Sequence, residues 1–132
     1  MVRKSPSNYL LDTTILVDCA RGNSQALEFI NQLIVPTISQ ITEAELIQGV
    51  KNKSELKLLE KSLIMFKLLP INETVMQRTL SLLKKYSLSS GLLILDAIIA
   101  ATAIEFNLVL ITANYKHFKN IKELNVEQWL NK

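Results

Sequence analysis

Apolar residues along the chain fall into short blocks separated by longer stretches with helical spacing. Asn8-Tyr9-Leu10-Leu11 reads as a strand ending at Asp12, and Thr13 to Ala20 as a short helix with Asp12 near its cap. Arg21-Gly22-Asn23 breaks the chain, and Ser24 can cap a helix to about Leu33. Pro36 to Ser39 reads as a second strand, followed by a helix from about Thr42 to Val50. After Asn52-Lys53-Ser54 an amphipathic helix is expected from Ser54 to about Met65. Lys67 to Ile71 is a third strand, and Asn72 or Thr74 opens a helix to about Tyr86, with a loop over Ser87 to Gly91. A very apolar helix follows from Ile94 to Phe106, then a β-branched strand over Leu108 to Thr112. Asn114 to Phe118 suggests a turn or short helix, and Asn125 to Glu127 a small edge strand.

Strands thus alternate with helices, and each strand is apolar on both faces, as when helices cover both sides of a parallel sheet. The expected class is α/β: a three-layer α/β/α fold around a short, mainly parallel sheet of 4–5 strands. In such sheets the ligand site lies at the carboxyl ends of the strands. Those ends carry Asp12-Thr13-Thr14, then Ser39 leading to Thr42, Glu43 and Glu45, then Asn72-Glu73, then Thr112 and Asn114.

One residue interrupts the apolar pattern. Asp96 is the only charge in the 13-residue run from Leu92 to Ile104, and no Lys, Arg or His lies within ten residues of it. A helix this apolar is expected to be largely buried, and an unpaired buried carboxylate costs several kcal/mol or more. Its partner must come from the fold, a metal ion or water in a cleft.

Each acid has an ordinary structural reading. Asp12 suits an N-cap, Thr42 to Glu45 suits a capping box, Glu43 suits a first helical turn, and Asp96 could cap a helix starting at Ala97. Taken together, acids from separate elements at one sheet edge would repel each other without a counterion. Hard divalent cations held by oxygen ligands are the usual solution. No Cys/His spacing suits zinc and no glycine-rich loop suits a nucleotide. His117, in a basic loop, reads as a surface or phosphate-contacting residue rather than a catalytic one.

Composition adds bounds. The 132 residues with 48% hydrophobic content fit one domain, 1–132, with a real core. The single Cys19 suits a reducing compartment and reads as a small packed side chain. Met1 to Ser7 shows no signal-peptide core, and the run 92–104 is short for a membrane span, so a cytoplasmic protein with no membrane partner is expected. The net charge of +3 is a mild hint of a polyanionic partner. Lys51, Lys53, Lys57, Lys61 and Lys67 form one basic stretch, and Lys116, His117, Lys119 and Lys122 another. Both could be solvated faces or phosphate contacts.

Four segments carry a resemblance. Tyr9-Leu10-Leu11-Asp12-Thr13-Thr14-Ile15-Leu16-Val17-Asp18 looks like the opening of a PIN domain, and Ile41-Thr42-Glu43-Ala44-Glu45-Leu46-Ile47-Gln48-Gly49 resembles its second motif. Asp96 to Ala103, followed by Leu110 to Phe118, resembles the third and fourth. The ordered set spans nearly the whole chain and is similar to the VapC-like toxins of type II toxin–antitoxin systems.

The resemblance implies a ribonuclease dependent on Mg²⁺ or Mn²⁺, with Asp12, Glu45 and Asp96 as metal-binding acids. Asn114 stands where the family has a fourth acid, which puts a second metal in question. Thr13, Thr14 and Thr112 match site-lining positions, and Lys116 is expected beside them. The resemblance further implies an RNA substrate, a cognate antitoxin and a homodimer. Apolar helix surface from Leu27 to Leu33 and Leu56 to Leu63 could serve either protein partner, while core packing is the plain reading for most of those residues. A PIN nuclease of RNA processing without an antitoxin, or an inactive PIN scaffold, would carry much the same sequence. A receiver-like binding module is disfavoured because the third strand ends in Pro70-Ile71-Asn72-Glu73 rather than in an acceptor Asp.

Overall fold

The computed structural model describes residues 8–129; the reading of Met1 to Ser7 lies outside them. Five strands and six helices follow one another: β1 (Tyr9–Leu11), α1 (Thr13–Ala20), α2 (Ser24–Gln32), β2 (Thr37–Ser39), α3 (Gln40–Gly49), α4 (Lys53–Leu63), β3 (Lys67–Leu69), α5 (Glu73–Ser90), α6 (Ile94–Glu105), β4 (Val109–Thr112) and β5 (Val126–Gln128), with a 3₁₀ turn at Tyr115–His117. Hydrogen bonds divide the strands into two ladders, β1-β4-β5 and β2-β3, and every pairing is parallel. β1 and β2 are close neighbours, so the two ladders meet there.

The period-2 alternation of strands sorts the core into two layers. Leu10 and Leu110 point to one side and pack with Val75, Leu82 and Tyr86 of α5 and Ala97, Ala100, Ala101 and Ala103 of α6. Tyr9, Leu11 and Ile111 point to the other and pack with Ile15 and Leu16 of α1 and Ala26, Phe29 and Ile30 of α2. Helices therefore cover both faces, which is why these strands read as continuous apolar runs. Cys19 is a partly buried packing residue against the second layer, and burial pushes its thiol pKa up.

Caps explain where the element ends differ from the sequence reading. Asn23, Asn52 and Asn72 accept hydrogen bonds from the amides of Ala26, Glu55 and Val75, so α2, α4 and α5 each start directly after an asparagine. Ser39 accepts from the Ile41 amide and starts α3 at Gln40, two residues before the expected Thr42. The expected loop at Ser87 to Gly91 is mostly helix. α5 runs on to Ser90 and ends at Gly91, whose φ of 72° is the left-handed cap. Leu92 then donates its amide to Tyr86 O and is buried. Among the described residues, no helix is long and apolar enough to cross a membrane.

Candidate active site

Three elements deliver carboxylates to one cavity of about 700 Å³: the β1–α1 junction gives Asp12, α3 gives Glu45 and α6 gives Asp96. Thr13, Thr14, Asn114 and His117 also line it.

None of the three acids is spent on capping. Asp12 occupies the N-cap position of α1, but its side chain makes no cap hydrogen bond. Instead its Oδ2 accepts from Thr14 Oγ1 at 2.8 Å and from Thr112 Oγ1 at 2.7 Å. Asp12 is 4% exposed, so both bonds replace lost solvent. The capping box at Thr42 to Glu45 does not form, because α3 begins earlier. Thr42 is fully buried and meets Thr13 Oγ1 at 2.8 Å, and Thr13 Oγ1 donates to Glu45 Oε1 at 2.6 Å. Glu43 sits in the first turn of α3, away from the cavity. Asp96 does not cap a helix from Ala97. Leu93 is the N-cap, and Asp96 lies in the first turn of a helix starting at Ile94.

The partner that Asp96 required comes from the fold. His117 Nδ1 stands 3.3 Å from Asp96 Oδ2, and the Asp96 side chain is 29% exposed. Burial pushes the Asp96 pKa up; His117 opposes this, and the charges of Asp12 and Glu45 push it further up. The acids therefore feel one another, which is the situation a bound cation relieves.

His117 is exposed, as the surface reading expected, and it also lines the cavity. The 3₁₀ turn explains it: with three residues per turn, positions three apart eclipse, so Asn114 and His117 share a side. Lys116, expected at the site, is exposed and does not line the cavity. Thr112 does not line it either; it is fully buried beneath Asp12 and also accepts the Asn114 amide at 2.9 Å. The apolar run before Asp96 is not wholly buried. Leu93, Ile94 and Leu95 are exposed and form an apolar cavity wall with Val17 and Ile99. Asp18, the last residue of the first motif, and Arg21, beyond it, line the cavity too, though neither was named as a site residue. The signal was present in the sequence: Thr14, Val17, Asp18 and Arg21 follow i, i+3, i+4, i+7 spacing, so they share one helix face.

The donor set suits a hard divalent cation. All three acids offer carboxylate oxygens, and Mg²⁺ characteristically takes one or two carboxylates and keeps several waters. Among the described residues, no three His, Cys, Asp or Glu side chains are drawn together tightly enough to enclose an ion by themselves.

Known proteins resemble this chain in sequence and fold. The family model described as PIN domain matches residues 9–124. Ribonuclease VapC1 of Methanocaldococcus jannaschii is 31% identical over 131 residues, covering 96% of this chain and 90% of that protein. Ribonuclease VapC19 of Mycobacterium tuberculosis is 34% identical over 122 residues, covering 87% and 95%. A toxin–antitoxin complex from Klebsiella pneumoniae contains a chain with a TM-score of 0.78 and 30% identity, covering 91% of this chain and 96% of that one. The chain belongs to the PIN-domain family, in its VapC branch.

Proposed function

We propose that this protein is a divalent-metal-dependent ribonuclease and the toxin of a toxin–antitoxin pair, acting in the cytoplasm. The observation that carries the proposal is the convergence of Asp12, Glu45 and Asp96 from three elements on one cavity, in a chain similar over nearly its whole length to VapC ribonucleases.

In this reading Asp12, Glu45 and Asp96 hold Mg²⁺ or Mn²⁺, and Asn114 adds a neutral oxygen. The bound ion would lower the pKa of a coordinated water and offset charge on the phosphate. The protein's own work is positioning. Thr14 and Thr112 fix Asp12, Thr13 locks Glu45, and His117 restrains Asp96.

A partner antitoxin is supported by the Klebsiella complex. Much of the apolar surface expected on α2 and α4 is core, since Phe29, Ile30, Leu33 and Leu63 are buried. Leu27 and Leu58 remain exposed, with Ile34, Ile64 and Met65 just beyond the helix ends. These are the side chains we assign to antitoxin or homodimer contact.

The test is RNA cleavage with Mg²⁺ or Mn²⁺. Wild-type protein should cleave and stop on chelation, while folded Asp96→Asn should be inactive. Undiminished cleavage by that variant refutes the assignment.

A further inference from the structure

The cavity has an end that the acids do not use. The α1 face bearing Thr14, Val17, Asp18 and Arg21 runs along it, so a helix rise of 1.5 Å per residue puts Arg21 about 10 Å from Thr14. Arg21 is exposed, and among the described residues it makes no ion pair, neither with Asp18 one turn back nor with the acids. Its backbone is nevertheless well fixed. The Arg21 amide donates to Val17 O at 3.0 Å and Asp18 O at 3.2 Å. Gly22, at φ 92°, turns the chain so that its own amide reaches Cys19 O and the Asn23 amide reaches Asp18 O. Asn23 then caps α2.

A guanidinium on a rigid turn at the rim of an acid-lined cavity, paired with no side chain among the described residues, is placed to receive an anion entering from outside. A polyanionic strand entering such a cavity meets four carboxylates, those of Asp12, Asp18, Glu45 and Asp96, and needs compensating positive charge. Among the lining residues only Arg21 and His117 can carry it, and His117 stands against Asp96. Arg21 starts about two helical turns from Thr14, so a phosphate it receives at that end of the cavity is a neighbour of the one the acids address.

We propose that Arg21 is a substrate-positioning residue that binds a backbone phosphate one or two nucleotides from the cleaved bond, setting how the strand lies across the acids. This rests on the ribonuclease reading above. Arginine suits the task because its planar fork binds two phosphate oxygens at once, which lysine cannot do.

The test is the salt dependence of binding to a fluorescent single-stranded RNA of about 12 nucleotides. It is read by anisotropy with Ca²⁺ in place of Mg²⁺, for wild type, Arg21→Gln and Arg21→Lys. Arg21→Gln should weaken binding about 5-fold or more and reduce the slope of log affinity against log salt by about 0.7, the share of one phosphate contact on a single strand. Arg21→Lys should keep the slope with weaker affinity. Wild-type affinity and slope in folded Arg21→Gln, or no RNA binding by the wild type, would overturn the proposal. Metal-dependent cleavage by the wild type is measured in parallel. If cleavage is present and Arg21→Gln binds normally, only the Arg21 assignment fails. If cleavage is absent and Arg21→Gln loses affinity, the nuclease reading fails and the phosphate contact stands.

Discussion

Replacing Thr112 with Val removes one hydroxyl and leaves the shape almost unchanged. Thr112 is fully buried, donates to Asp12 Oδ2 at 2.7 Å and accepts the Asn114 amide at 2.9 Å. A hydrogen bond to a charged group contributes about 1.5–3 kcal/mol, and an orphaned buried donor costs about 1–3 kcal/mol. The Asn114 amide is only partly buried, so water recovers part of its loss, and the new methyl returns some apolar burial. The net expectation is a loss of about 2–3 kcal/mol. For a domain of this size that corresponds to a melting temperature lower by about 8–12 °C. The assay is denaturant and thermal unfolding without metal, run as a double-mutant cycle with Asp12→Asn. Removing the Asp12 charge removes the charge-assisted part of the bond, so Thr112→Val should cost at least about 1 kcal/mol less in that background. A loss under about 0.5 kcal/mol, or an identical cost in both backgrounds, would refute the claim that Thr112 is the buried anchor of Asp12.

Glu123 accepts from Lys85 at 2.8 Å and Tyr86 at 2.7 Å, and the Lys85 bond is the main cause that lowers its pKa from 4.5 to about 2. A depressed carboxylate pKa contributes stability above the unfolded value and loses it as pH falls through the folded one. Glu123→Gln should therefore cost up to about 1 kcal/mol above pH 4.5, a modest figure because the pair is over a third exposed. The difference should vanish near pH 2, as read by urea melts across pH; a constant difference down to that pH would contradict it. Gly91→Ala should cost about 1–2 kcal/mol through backbone strain alone, because φ is 72° and a Cβ there meets nothing within 4 Å. Unchanged unfolding would mean that α5 does not end in the left-handed cap.

Alternation and capping carried most of the fold. The apolar strands and the 3.6-residue spacing placed all five strands and six helices, and α1 has the bounds expected for it, Thr13–Ala20. Element ends shifted where two polar residues competed for one cap. Ser39 displaced Thr42, and Asn23 displaced Ser24, each because its side chain reaches an amide two or three residues on. Asp12 was visible at the end of a strand and Asp96 as a lone charge in an apolar run, while Glu45, inside α3, was reached through the resemblance. His117 was not visible at the site, since its direction depends on the phase of a 3₁₀ turn that residue type alone does not set. Leu93 to Leu95 misled for the opposite reason. A run without polar residues has no periodicity to tell its buried face from its exposed one, and here the exposed end walls the cavity.

The central claim is that Asp12, Glu45 and Asp96 act together as a divalent-cation site. Calorimetric titration of Mn²⁺ into wild type, Asp12→Asn and Asp96→Asn tests it without any RNA. The account predicts saturable heat for the wild type and at least about tenfold weaker binding for each folded variant. No saturable heat in the wild type, or wild-type affinity in either variant, would contradict it.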